Sequence, residues 1–208
     1  GVRAHFGSVL SPLALRALLI HGAEDDGLDR HEVGWGRVPD DLPELVTCPD
    51  GMARVIYQGE LKASEAIRAL IPLPVEMLEG KVSIHATMCF ATAIDPAHPS
   101  NYTRSGVEIF FRPHSSKRDA KRLHAKTKAF FQLKNYSTEA DLRRDAHKWE
   151  TVLNRTQSFQ GRSLKDPALD IYYHAREGSQ PTKAADKILY ALVVTVRSPR
   201  TADLYDRI

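Results

Sequence analysis

The sequence predicts a mainly β protein built around an antiparallel β-sandwich of the jelly-roll type. Apolar and polar residues alternate from Val82 to Phe90, which is the two-residue period of a strand with one buried face. A second segment, from Leu189 to Arg197, is strongly apolar at its centre. At least six such segments are separated by turn residues, and few segments have a helical period. Together these observations point to two packed antiparallel sheets.

A helix is predicted near the start of the chain, from Pro12 to about His21. Ser11 can accept a hydrogen bond from a free amide of the first turn, and the missing N–H of Pro12 costs nothing at that position. Gly22 can adopt the left-handed conformation that ends a helix. Between these ends only Arg16 is charged, so apolar side chains surround the helix almost completely. We therefore expect it to be buried on most of its faces.

Three segments follow one another in a distinctive order within residues 1–45. They are Val2-Arg3-Ala4-His5-Phe6, the proline-opened helix at Leu10-Ser11-Pro12, and the turn Gly34-Trp35-Gly36-Arg37-Val38. In order and spacing they resemble the end of a subtilisin-like serine peptidase domain. The resemblance implies that residues 1–45 are the C-terminal helices of such an α/β domain. It also implies that the catalytic Asp, His and Ser lie upstream of Gly1, because the Gly-Thr-Ser motif of the nucleophile does not occur in this chain.

Turn-forming residues mark the boundary between that region and the sandwich. Asp40-Asp41-Leu42-Pro43 and Cys48-Pro49-Asp50-Gly51 both interrupt regular structure. The sandwich is accordingly assigned to residues 46–208. Larger subtilisin-like peptidases commonly carry a β-sandwich after the peptidase domain, so the resemblance extends to this part by architecture.

Six strands are predicted within the sandwich. Pro72 and Pro74 place the second of them at the edge of a sheet, because proline cannot donate a hydrogen bond to a central ladder. The predicted strands are Met52 to Leu61, Ile67 to Leu73, Val82 to Phe90, Val107 to Arg112, Leu169 to Ala175 and Leu189 to Arg197.

The β pattern breaks between Arg112 and Lys148, where the chain becomes strongly basic. Thr138 and Asp141 form a capping box that predicts a helix through Trp149. Basic residues at one-turn spacing indicate an earlier helix, with Lys117 followed by Lys121 and Arg118 by Arg122. We predict a basic, partly helical insertion at about residues 113–150, which Phe130-Phe131 docks onto the sandwich. A basic run is more often a solvated face than a nucleic-acid surface, so we do not expect nucleic acid as a partner.

Composition excludes several classes of protein. The chain of 208 residues is 42% hydrophobic and 26% charged, and it contains no apolar run long enough to cross a membrane. Its two cysteines, Cys48 and Cys89, form neither a disulfide framework nor a metal-binding spacing. Free thiols favour a cytoplasmic location.

No catalytic, cofactor-binding or metal site is predicted in the chain. The acidic loop between His21 and His31 lacks the alternating Asp/Asn pattern of a calcium loop, so we interpret it as solvated. His85 alternates out of an apolar strand face and is expected to contact solvent or the insertion. There is no Gly-x-Ser-x-Gly elbow, no metal-type histidine pair and no glycine loop for phosphate, and no cofactor is expected.

The resemblance implies a C-terminal accessory and stabilising region of a subtilisin-like serine protease, whose parent reaction is peptide-bond hydrolysis. Its partners would be the upstream peptidase domain and the polypeptide substrate of the parent. Self-association through the N-terminal helices is a further expectation, because their apolar surface exceeds what one sandwich can cover. We expect no catalytic activity from this chain alone. The alternative is a free-standing β-sandwich module that binds protein or nucleic acid and owns its N-terminal helices.

Overall fold

Two four-stranded antiparallel sheets and one ten-residue helix make up most of the regular structure. The computed structural model describes residues 9–25, 27–28, 30–74, 76, 78–97, 102–119, 125–131, 151–175 and 187–208. The helices are α1 (Pro12–His21) and the short α2 (Arg30–Val33). The strands are β1 (Met52–Lys62), β2 (Ala66–Leu70), β3 (Lys81–Ala91), β4 (Ser105–Arg112), β5 (Lys128–Ala129), β6 (Val152–Gln160), β7 (Ala168–Ala175) and β8 (Lys187–Arg197). The prediction of a mainly β, antiparallel protein is confirmed.

The first sheet has the strand order β1-β8-β3-β6, and the second has the order β2-β7-β4-β5. Strands that follow one another along the chain therefore lie in different sheets, except for β4 and β5. The central strand β8 pairs with β1 from Met52↔Arg197 to Lys62↔Lys187, and on its other side it pairs with β3.

The main core lies between the two sheets. The first sheet contributes Phe90 and Leu192, the second contributes Phe111 and Leu169, and all four belong to one buried cluster. The inward residues of β3 are those that the alternation predicted: Val82, Ile84, Ala86, Met88 and Phe90.

Phe130 confirms the predicted docking of its segment. Its side chain is fully buried, and its ring meets that of Phe111 edge-on at 5.4 Å between centroids. Phe131 is partly buried against the same cluster.

Helix α1 packs on the outer face of the first sheet. Ser11 Oγ accepts a hydrogen bond from the Ala14 amide at 3.2 Å, as expected of the residue that caps the helix. Ala14, Ala17 and Leu18 form a second cluster with residues of β3, β6 and β8. The opposite side of the helix is open, since Leu19 is 38% exposed. Leu13, Leu15 and Ile20 are half-buried against the same cluster, so the expectation of burial on most faces is confirmed apart from this one side. The assignment of residues 1–45 to a separate domain stays a prediction.

Gly22 ends the helix for a different reason from the one the sequence suggested. Its φ is −90°, which is not left-handed. A Cβ at this position would lie 2.1 Å from Leu45 Cδ2, so the glycine allows the turn Leu42–Leu45 to pack closely against the end of the helix. Gly36 does have a positive φ, at 109°, and a Cβ there would lie 2.2 Å from the Glu24 carbonyl oxygen, where Glu24 and Arg37 bridge.

Several other predictions are corrected or lie beyond the described residues. β6 was not predicted, because polar residues occupy both of its faces. β2 ends at Leu70, before the two prolines, but it does lie at a sheet edge as predicted. Lys117–Asp119 are not helical, since Arg118 forms a bridge with Ala125. The predicted helix from Thr138 to Trp149 and the segment from Val2 to Phe6 lie outside the described residues.

Within the described ranges, no helix combines the length and the apolar character that crossing a bilayer would require.

Candidate binding cleft

The outer face of the first sheet is divided into an apolar half and a polar half. Helix α1 covers the apolar half, which consists of Cys89, Val152, Ala191 and Val193. The polar half continues along the same strands with Arg54, Ser83, His85, Thr156, Thr195 and Arg197. Pairing brings these residues side by side, with Ser83 opposite Arg197 and His85 between Thr156 and Thr195.

The polar half forms one side of an open cleft of about 660 Å³. Its other lining comes from the end of α1 and from the segment between Pro39 and Pro49, including Glu44, Leu45 and Cys48. This volume lies within the range usual for small-molecule sites, roughly 300–1,000 Å³.

Arg54 fastens that segment to the sheet. Its Nε donates to Thr195 Oγ1 at 2.8 Å, and its Nη1 donates to the carbonyl oxygens of Leu45 and, at 3.4 Å, Glu44. None of these acceptors carries a charge. Burial lowers the pKa of the Arg54 guanidinium, the nearby Cys48 opposes that shift, and Arg197 adds to it.

A stacked histidine pair lies at the junction of the two halves. The rings of His21 and His85 are 3.8 Å apart between centroids and 13° from parallel. His21 Nδ1 is 2.8 Å from Thr87 Oγ1, and its Nε2 is 2.7 Å from Thr195 Oγ1. Because Thr195 accepts from Arg54, its own hydroxyl proton is available to His21 Nε2. A neutral His21 with its proton on Nδ1 satisfies this chain of hydrogen bonds.

Both histidines are held neutral by their surroundings. Burial, followed by the effects of His85 and Arg54, lowers the pKa of His21 to about 2. Burial also lowers the pKa of His85, although its hydrogen bond to Asn154 acts in the opposite direction. No carboxylate is among the causes of either shift, so nothing there would offset the charge of a protonated histidine. Protonation would instead place a second cation beside Arg54.

We predict that the protein loses stability as the pH falls below 6.5. An unfolded histidine titrates near 6.5 and the folded His21 near 2, so between these values the unfolded state binds more protons and acid favours unfolding. At pH 5 the shifted pKa of His21 lowers the free energy of unfolding by about 2 kcal/mol relative to neutral pH. Urea unfolding at pH 7 and pH 5 measures this loss. The control is His21→Gln, whose stability should change less between the two pH values; equal losses would contradict the assignment.

The sequence did not identify this site. The expectation that His85 contacts solvent holds in part, because His85 is half-buried and lines the open cleft. The sequence did not predict that it stacks on His21 and forms a hydrogen bond with Asn154. A signal was present in β8, where Thr195 and Arg197 interrupt the apolar run on one face only.

Cys48 and Cys89 are free thiols, and burial raises the pKa of Cys89 to about 11. The described residues contain no cluster of three or more His, Cys, Asp or Glu suited to a metal ion.

No protein-family model and no curated protein matches the chain. Among solved structures, it is similar to the VP2 subviral particle of infectious bursal disease virus at 10% identity and a TM-score of 0.41. That match covers 82% of this chain and 38% of the other, so this chain spans well under half of its length. The T13 particle of the same virus matches at 9% identity over 79% and 36% of the two chains, with a TM-score of 0.40. The STIV MCP matches at 9% identity over 73% and 50%, with a TM-score of 0.28.

The predicted function as an accessory region of a subtilisin-like serine protease is wrong. The two similar structures named first above are viral particles and not peptidases. The helix that the resemblance assigned to a peptidase core packs instead on β3 and β8. The hydrolase, serine protease and peptidase assignments are wrong for the same reason. The alternative of a free-standing β-sandwich module agrees better with these findings.

Proposed function

We propose that the chain is a free-standing β-sandwich binding module that holds its ligand in the cleft beside α1. The observation that carries this proposal is the division of one sheet face between a covered apolar half and an open polar half. Helix α1 covers the apolar half and leaves the polar half open, so the polar side chains can contact a ligand. The polar residues left open are arranged on neighbouring strands, which hold their side chains in fixed relative positions.

The finer fold that we propose is a jelly roll. Eight strands in two four-stranded antiparallel sheets, with the chain changing sheet after almost every strand, support this assignment. Jelly rolls serve many unrelated functions, so the proposed activity rests on the cleft and not on the fold.

The proposal predicts that small-molecule binders will concentrate in this cleft. A mixture of small polar and charged compounds, followed by backbone amide shifts in NMR spectra, should move the signals of Ser83, Thr156 and Thr195. Thr156→Trp should abolish those shifts, because Thr156 is exposed and a larger side chain there fills the cleft without entering the core. Its free energy of unfolding should change by under about 0.5 kcal/mol, as is usual for a surface substitution.

Glu108→Trp is the matched control, because Glu108 is exposed on the second sheet. It should leave binding at the cleft unchanged. Binders that gather on the second sheet and are lost in Glu108→Trp would contradict the proposal, as would binding that survives Thr156→Trp.

A further inference from the structure

Among the described residues, the two guanidinium groups of the cleft, those of Arg54 and Arg197, form no ion pair with a carboxylate. Arg54 donates to a hydroxyl, two carbonyl oxygens and, at 3.9 Å, the Met52 sulfur. The side chain of Arg197 has no hydrogen-bond or ion-pair partner among the described residues. On the other sheet, by contrast, Arg68 and Arg112 both pair with Asp170. The positive charge of the cleft is therefore available to a ligand.

Free hydroxyl groups lie beside the exposed arginine. Ser83 is the strand partner of Arg197, and Thr156 is the strand partner of the adjoining His85. In the described part of the chain, neither hydroxyl makes a side-chain hydrogen bond. A guanidinium flanked by unoccupied hydroxyl donors suits an acceptor with several oxygens, of which phosphate is the usual case in proteins.

We propose that the cleft binds the phosphate group of a small phosphate ester, contacted by Arg197, Ser83 and Thr156, with Arg54 as the second positive charge. This inference rests on the proposed function, since it names the ligand class of the same cleft. A volume of about 660 Å³ is suited to a drug-sized molecule, so the phosphate is one end of the ligand and an organic group fills the remainder.

Two acidic residues also line the cleft. Removing an acidic side chain should strengthen phosphate binding, whereas removing an arginine should weaken it. Glu24 is paired with Arg37 at 2.7 Å, which offsets its charge. Glu44 is exposed, and within the described residues its carboxylate has no partner. A bound phosphate should be repelled by Glu44, so removal of that carboxylate should strengthen binding.

The experiment is a titration with inorganic phosphate and with glycerol phosphate, at an ionic strength matched with sodium chloride, followed by amide shifts and calorimetry. Both should bind saturably and shift the amides of Ser83, Thr156 and Arg197, and the ester should bind more tightly. Arg197→Gln should weaken binding about tenfold or more, since a hydrogen bond to a charged group is at stake. Glu44→Gln should strengthen it, and Lys128→Gln, which removes one positive charge from the other sheet, should leave it unchanged.

The outcomes separate this inference from the proposed function. If neutral compounds occupy the cleft but phosphate and its ester do not, the module stands and the ligand class is wrong. If no compound of any charge shifts the cleft amides, both are wrong. Equal weakening by Arg197→Gln and Lys128→Gln, or weaker binding in Glu44→Gln, would show only a general effect of net charge and would overturn the phosphate site. A phosphopeptide that binds more tightly than the small ester would overturn the assignment to a small molecule.

Discussion

Replacing Phe111 with alanine is expected to lower the free energy of unfolding by about 3–5 kcal/mol, which is typical for a large aromatic side chain removed from a closed core. Phe111 has no exposed surface, and its ring contacts Phe130, which follows the neighbouring strand β5, and Phe159 of the opposite sheet, with ring centroids 5.4 and 4.9 Å away. The cavity would lie between the sheets, where two separate chain segments meet. Chemical denaturation of the purified variant measures the loss.

Phe110 supplies the control, since it precedes Phe111 in β4 and faces the opposite way. It is 36% exposed, and its ring meets that of Tyr172 on the same outer face. Phe110→Ala should therefore cost about 1 kcal/mol or less, because an exposed side chain leaves no closed cavity. Similar losses in the two variants would mean that the strand does not divide into a core face and an outer face at this point.

The second large effect is expected at Asp170. Its carboxylate is almost fully buried and accepts hydrogen bonds from Arg68 Nε at 2.6 Å, Arg68 Nη2 at 3.2 Å and Arg112 Nη2 at 3.1 Å. Among the described residues, the Nε of Arg112 is buried without a partner, and the ion pair of this arginine is with Asp170. Asp170→Asn keeps the shape but removes the charge, and we expect a loss of about 3 kcal/mol because a largely buried cation is left unpaired.

The matched comparison is Glu60→Gln. Glu60 pairs with Lys187 at 2.8 Å, but both side chains are about half exposed. Water and salt screen such a pair, so the loss should be under about 1 kcal/mol. If Asp170→Asn cost no more than Glu60→Gln in the same denaturation assay, burial would not be the source of the effect at Asp170.

The sequence predicted those elements whose local pattern agrees with their final environment. β3 has one face in the core and alternates strictly, and β8 is buried along most of its length and is apolar throughout its centre. Helix α1 carries its own capping residue and opening proline. β6 escaped prediction because it pairs at the edge of the sheet and carries polar residues on both faces. Its position is decided by β3, whose sequence is distant.

The cleft could not be predicted because its residues come from separate parts of the chain. Arg54, His85, Thr156 and Thr195 lie on four different strands, and His21 lies at the end of the helix. None has a motif around it, and their proximity depends on strand order and register. Only the outward polar positions of β8 gave a local indication, since two polar residues on one face of an otherwise buried strand need a reason to be there.

The position of β8 also governs how the protein can be made. This strand fills the gap between β1 and β3, yet it is synthesised long after both of them, and its pairing of Met52 with Arg197 closes a very long loop. The chain loses the entropy of closing this loop before the stabilising contacts of β8 form, so folding should be slow. Until residues 187–197 leave the ribosome, β1 and β3 each present an unpaired edge on which other chains can add strands. Truncated translation products are therefore the species most prone to aggregate, and a chaperone that shields nascent β edges would protect this chain more than one that acts after release.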